Sequence, residues 1–483
     1  MTVEFVGIFA LLIGILCFYC PQSFIVYMFF CTTLLGAAAA FVLTGLGGTN
    51  ISPAHLLLCF LLVRLFRTPE IFSNAMRGLG FGRAGFWLLL TVIYSTFTAY
   101  LMPRIFAGQT MIFAVRAQTS FSIPLIPATS NLTQSIYFLG DLVCFTVIYG
   151  FASTWRGHRV VGKAAMACAT VNLIFAALDI VTYLTNTAEL FAPIRNATYS
   201  MLNDSEIAGF KRIVGSFTEA SAFGAITLGY FAFTGKLWLQ GIYPRSSGIL
   251  ALLSLMALVF STSTTAYVGL AVLLSLCYLE TLIQAFRKPI TRYMTFFLVG
   301  APLIVLVSIT MIAMNDSASS YVQSLLNTMV LNKMSTESGV ERSSWNKQAI
   351  QNFFDTFGFG AGNGSVRASS ILFGIPASLG VVGTLLFAVF FAKLFLGKPK
   401  GIQFGRVDDA FRRAAKYACL AWFISCAISG AVIDLGLPFF ALAAFACAKP
   451  AGTLESRTAS AISEFSTAYK GRKGSWLQQR AAG

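Results

Sequence analysis

Apolar runs dominate the chain so completely that they decide what it can fold into. Stretches long enough to cross, or nearly cross, a bilayer core of roughly 30 Å lie at 4–20, 22–46, 52–66, 84–102, 133–153, 162–186, 219–235, 247–262, 265–285, 293–314, 370–396, 414–432 and 434–448. Backbone N–H and C=O groups in hydrocarbon must be satisfied within the segment, and runs of this length do so as helices. The expectation is an all-α polytopic membrane protein with about 12–13 transmembrane helices. The runs at 52–66, 247–262 and 434–448 are short enough to be re-entrant. Only 11% of the 483 residues are charged and 57% are hydrophobic, against about 25% charged in a soluble domain. No conventional soluble domain fits. Residues 1–450 form one transmembrane domain, and 451–483 form a polar, basic tail expected to be cytoplasmic.

The formal charge of +16 raises nucleic acid as a partner, but its distribution speaks against it. The basic residues sit in short connectors between apolar runs, where they set topology and meet lipid headgroups. The connectors 67–83, 154–163, 236–246, 286–292 and 397–416, with the end from 449, carry 23 Lys and Arg. The alternate connectors, 103–132, 187–218, 263–264 and 315–369, carry nine. By the positive-inside rule the first set is cytoplasmic and the long loops 103–132, 187–218 and 315–369 are external. Thirteen spans put the N-terminus outside as well. The first Lys or Arg is Arg64, so the N-terminus has no basic region of the kind a cleavable signal peptide needs.

All ten cysteines lie in apolar runs, which excludes disulfides in the exposed loops. Cys17 and Cys20 have CxxC spacing, but inside a span this is packing. His55 and His158 are the only histidines, so a His-based metal site is not expected. Asp141, Asp179, Glu280, Asp434 and Arg64 fall in or at the ends of spans. Such residues mark either an ion pathway or pairing within the bundle.

The long external loops are not low in complexity, and loops of this length are usually functional or disordered. They carry aromatics able to pack, and short surface helices are expected in them. The clearest is 340–355, where Ile350, Phe353 and Phe354 share a face distinct from Arg342 and Asn346. The polar stretch 337–370 is the core of the longest gap between apolar runs, and 203–219 echoes it. Eight of the 18 acidic residues lie in or beside these loops: Glu189, Asp204, Glu206, Glu219, Asp316, Glu337, Glu341 and Asp355. So do Arg104, Arg116, Arg195, Lys211, Arg212, Lys333, Arg342, Lys347 and Arg367. An external face that topology depletes of cations keeps six arginines, each able to grip phosphate or carboxylate bidentately at any biological pH. The two polar segments are expected to face each other and form a site.

Within the first segment Arg212 precedes Gly215-Ser-Phe217-Thr-Glu219, leading directly into a membrane helix. In the second, Arg342-Ser-Ser-Trp345 opens an amphipathic helix. The Gly run 358–364 follows, with Asn363, Arg367, Ser369 and a Gly-containing span after it. A small-residue turn, Ser261-Thr-Ser-Thr-Thr265, joins two spans. Over residues 200–400 this layout resembles the O-antigen polymerase and O-antigen ligase family. The resemblance implies a GT-C-like bundle in the bacterial inner membrane with a periplasmic active site. Its substrates would be undecaprenyl-diphosphate-linked oligosaccharides, as donor and acceptor, and its partners membrane lipids, a flippase and a chain-length regulator. Ligases of this family generally carry a His after the Gly turn. The corresponding stretch here, Asn363-Gly-Ser-Val-Arg367, has none, which favours a polymerase over a ligase and argues against imidazole as base. The implied chemistry is metal- and cofactor-independent glycosyl transfer. Arg212, Arg342 and Arg367 would stabilise the diphosphate leaving group, and Glu219 would take the acceptor proton. Arg104, Arg195, Lys211, Glu341, Trp345, Asn363 and Ser369 would bind substrate. Glu341 and Glu337 are rival bases. A transporter is the rival from another class, but the chain shows no repeated halves and gathers its polar residues outside the spans.

Overall fold

A computed structural model describes residues 2–46, 48–115, 121–198, 201–202, 206–207, 210–316, 319–320, 323–324, 327, 337–397 and 404–450. Arg116, Asp204, Lys333 and the tail 451–483 lie outside these residues. Every expected apolar run contributes one helix: α1 Phe5–Leu16, α2 Gln22–Thr32, α3 Pro53–Phe66, α5 Ala84–Ile105, α6 Thr129–Ala152, α7 Trp155–Leu184, α8 Ala220–Leu239, α9 Pro244–Phe260, α10 Thr264–Arg287, α11 Arg292–Ala313, α13 Ile371–Leu396, α14 Arg406–Ser429 and α15 Leu437–Cys447. Two further helices, α4 Pro69–Gly78 and α12 Glu337–Asp355, lie in connectors. Local chemistry starts several of them. Pro occupies the first turn of α3, α4, α9 and α15, where its missing N–H costs nothing. Side chains of Thr154, Thr291 and Ser370 accept from the first-turn N–H groups of α7, α11 and α13, as N-caps do.

Among the described residues six helices, α5, α6, α7, α10, α11 and α13, are long and apolar enough to cross a membrane. This is a multi-pass membrane protein. Helix α11 makes the case most directly: Leu303, Ile304, Val305, Leu306, Val307 and Ile309 are all exposed. An uninterrupted apolar surface of that kind is tolerated where the solvent is lipid. The interior is packed by aromatics, with Phe138, Phe387, Phe390, Phe439 and Phe440 fully buried between α6, α13 and α15.

The run 22–46 does not form one long helix, as its hydropathy suggests. Helix α2 ends at Thr32 and the chain turns into β2, Phe41–Leu43, paired with β1, Thr2–Val3, and β3, Thr49–Ile51. The backbone between them is satisfied from elsewhere. Ala37 N donates to Ser216 O (3.0 Å), Asn196 Oδ1 accepts from Ala39 N (2.9 Å), and Ala40 N donates to Ile51 O (2.7 Å). The run 4–20 likewise yields a helix of only 12 residues, so α1 and α2 join the three runs already expected to be short.

Contacts sort the connectors into the two sets expected from charge. At the basic end His158 and Arg159 meet Asp408, Thr291 bonds Leu239 O, and Arg406 bonds Gln240 O. At the loop end Asn50 bonds Thr198, Thr110 bonds Asp355, and Arg367 N bonds Phe113 O. The N-terminal strand is at the loop end too, because Glu4 N donates to Ala40 O and Asn196 donates to Glu4.

Candidate active site at the loop end

Three separate segments build the site, and each is held by bonds that leave its key arginine uncommitted. The first is 210–219. A carboxylate from the membrane domain organises it: Asp179, near the loop end of α7, is fully buried. Its Oδ1 accepts from Arg195 (2.7 Å) and Lys211 (3.0 Å), and its Oδ2 from the N–H groups of Val214 (2.8 Å) and Gly215 (3.0 Å). Arg195 also donates to Gly215 O and lies over the Phe191 ring, while Lys211 lies over Tyr183. These two cations, expected to bind substrate, are therefore engaged in clamping the loop to α7.

Arg212, the next residue, is treated differently. Its Nη2 reaches Thr262 O (3.4 Å) in the Ser261–Thr265 turn, and its buried Nε has no hydrogen-bond partner. That turn is strained, with Thr262 at φ 45°. Thr265 ties it to Ser429 at the end of α14 (3.0 Å). The buried hydroxyls of Thr262 and Ser263 also lack partners among the described residues. Glu219 follows as the residue capping α8, where the Ser221 hydroxyl donates to its Oε1. Among the described residues, Glu219 and Arg212 form no ion pair within 4 Å, although each feels the other's charge.

The second segment is α12, strapped to β4 (Met111–Ile112) by side-chain amides. Gln348 and Asn352 both donate to Met111 O (2.6 Å each), and Thr110 donates to Asp355 (2.6 Å). The packed face is Trp345, Ala349 and Asn352, not the Ile350, Phe353, Phe354 face its periodicity suggests. Ile350 is 43% and Phe354 66% exposed. They line an apolar crevice beside Phe373, Val381 and Leu385 of α13, so the apolar face is left largely exposed along α13. The buried face instead supplies the hydrogen bonds the connector 106–115 needs.

The third segment is the Gly run and 365–370. Gly360 N–H bonds Thr356 Oγ1, while Ala361 and Gly362 donate to Ala377 and Ser378 of α13. Gly380 breaks α13 at φ 65°, ψ −166°, and Val381 N returns a bond to Gly358 O. The approach is so close that a Cβ on Gly360 would sit 2.5 Å from Gly380 N, and one on Gly380 2.4 Å from Gly358 O. Only glycine fits either place. The turn delivers Arg367, pinned through its own N–H to Phe113 O (2.8 Å), with Ala368 N on Ala431 O and Ser369 N on Asn346 Oδ1 (2.8 Å). The Arg367 guanidinium stacks 4.0 Å above Trp345.

Arg342 and Glu219 lie within electrostatic reach of both Arg212 and Arg367, and Glu341 within reach of Arg367. Burial pushes Arg212 below its ordinary pKa, Glu219 opposes this, and Arg342 lowers it further. Burial likewise lowers Arg367, opposed by Glu341 and Glu219 and reinforced by Arg342. Arginine remains charged through shifts of this kind. Among the described residues, none of the three forms an ion pair within 4 Å. Three neighbouring guanidiniums with unspent donors make a ready receptor for an anion with several oxygens. No family model matches the sequence, and no curated protein is similar to it.

The remaining expected residues fall to the side. Arg104 is exposed, folded back onto Tyr100 of its own helix. Asn363 is buried, its carbonyl accepting from Asn131 (2.7 Å), with its amide nitrogen unpartnered. Ser369 serves through its backbone. Of the charged residues in the spans, Glu280 takes Lys236 and Tyr417 and Arg64 reaches Cys20 O (3.4 Å), whereas Asp141 Oδ2 is buried with no hydrogen-bond partner among the described residues. Among the described residues, no group of three or more His, Cys, Asp or Glu is placed to hold a metal ion. Sequence reasoning missed Asp179 as the organiser. Its signal was an acid within two turns of a span end, facing a loop with adjacent cations.

Proposed function

We propose that the chain is a bacterial inner-membrane polysaccharide polymerase. In this proposal it transfers a growing undecaprenyl-diphosphate-linked glycan onto the next lipid-linked repeat unit, on the periplasmic side. The observation that carries it is the set Arg212, Arg342 and Arg367, drawn from three segments and left unpaired beside Glu219 and Glu341. A lipid diphosphate brings negative oxygens to that set, and more charge develops on it as its bond to the sugar breaks. Preorganised guanidiniums stabilise such a leaving group. The acceptor hydroxyl attacks the anomeric carbon, a new glycosidic C–O bond replaces the C–O bond to diphosphate, and the hydroxyl proton passes to Glu219. Trp345, packed on the buried face of the helix, holds Arg367 by stacking.

Deletion of the gene, followed by analysis of lipid-linked glycans, tests this. Accumulated single repeat units are expected. Accumulated polymer would make the protein a ligase, and an unchanged lipid-linked pool would remove it from this chemistry.

A further inference from the structure

The basic end of the bundle holds a cavity unrelated to the site above. Its volume is about 300 Å³, and it lies between the start of α5, the ends of α13 and α15, and α14. Its floor is buried, formed in part by Leu394 and Tyr149. Arg83, Lys393, Arg412, Lys416 and Lys449 all line it, and no carboxylate does among the described residues.

Not all of that charge is available. Lys416 donates to the terminal carbonyls of α13, at Gly397 O (2.7 Å) and Phe395 O (3.5 Å). Arg412 is paired with Asp409 (2.7 Å). Among the described residues, the Arg83 side chain bonds only the Tyr149 hydroxyl (3.2 Å), and the side chains of Lys393 and Lys449 have neither hydrogen bond nor ion pair. The cavity also opens on the first turn of α5, whose N-terminus has no side-chain cap and carries the positive end of the helix dipole. Like charges gathered in a concavity with a buried floor repel one another until an anion enters.

We infer that this cavity binds the phosphate of an anionic phospholipid headgroup. The placement of the cations at helix ends favours lipid over soluble phosphate. Arg83 immediately precedes α5, Lys393 lies in the last turn of α13, and Lys449 follows α15 by one residue. Headgroup phosphates lie at the ends of spanning helices, and basic pockets between helices on that side take them. Ordinary topology-setting cations face outward individually; these share one concavity.

The test uses the full-length protein purified in a neutral detergent. Retention of phosphatidylglycerol is followed by native mass spectrometry, and thermal unfolding is measured with added phosphatidylglycerol, phosphatidylcholine or inorganic phosphate. The cavity pair Lys393→Gln with Lys449→Gln is compared with Arg156→Gln with Arg245→Gln, exposed cations at the same end. A third protein, Lys393→Arg with Lys449→Arg, keeps the charge. Expected is a roughly 30-fold loss of phosphatidylglycerol affinity in the cavity pair, about fivefold per cation, with little loss in the control and recovery in the Arg pair. Equal retention by the cavity and control pairs overturns the site. Stabilisation by inorganic phosphate equal to that by lipid overturns the lipid assignment. Should the cavity pair fail to fold, weakened retention in Lys449→Gln alone supports the site, and its absence overturns it.

Discussion

Replacing Glu219 by Gln separates catalysis from positioning, because the two roles move substrate binding in opposite directions. Gln keeps the shape and an oxygen for the Ser221 hydroxyl, and the side chain makes no cap bond to α8 that could be lost. What disappears is a proton acceptor and one negative charge near Arg212 and Arg367. A unit charge acting over about 6–10 Å at an effective dielectric of about 20 is worth about 2–3 kcal/mol. Glu219 is partly buried, and solvent screening of its exposed part reduces this to about 1 kcal/mol. Freed of that countercharge, the arginines should hold a lipid diphosphate about fivefold more tightly. Loss of a general base should cost about two to four decades of turnover. The expected variant therefore binds better and turns over far more slowly. The assay is single-turnover glycan transfer in nanodiscs with lipid-linked substrate, alongside equilibrium binding of the same lipid. Near-normal turnover at saturating substrate refutes the base assignment. Weaker binding would show that Glu219 positions Arg212 instead, and the base role would pass to Glu341 or Glu337.

Arg212→Lys, Arg342→Lys and Arg367→Lys keep charge but lose the planar fork. Each should lower transfer by about two to three decades, equivalent to about 3–4 kcal/mol, with normal expression; wild-type rates in all three would reduce these residues to loop structure. Asp179→Asn leaves Arg195 and Lys211 buried without their countercharge, a loss of about 3–5 kcal/mol. Thermal unfolding of the purified protein should fall sharply, and an unchanged midpoint would show that the clamp is dispensable. Reporter fusions after Arg292 should report the cytoplasm and those near Ser335 the exterior; the opposite result inverts the molecule and removes the site from the periplasmic face. Full activity is expected in chelator, and a loss restored by one divalent ion would contradict a metal-free mechanism.

Hydropathy and charge, read locally, were enough to locate thirteen helices, to separate the two ends of the bundle and to point to 203–219 and 337–370. Those properties are short-range: a run of apolar residues must be helical in lipid wherever it packs, and a connector's cations fix its side. Which polar group does what is a long-range matter. Lys211 and Arg212 are neighbours in sequence, yet one is consumed by Asp179, 32 residues away, while the other reaches across to Thr262, 50 residues away. No local pattern distinguishes them, because the difference lies in where the end of α7 meets the loop. The run 22–46 reads as one span, but loop partners near 196 and 216 complete its backbone bonds and let it stop at Thr32. Helix α12 has an evident apolar face, and the structure leaves it exposed while Gln348 and Asn352 satisfy the backbone at Met111. Arg367 is placed at the candidate site only because Gly360 and Gly380 allow two backbones to touch and Trp345 lies beneath it. Burial and hydrogen-bond completion across distant segments made these choices, and a single sequence carries neither term.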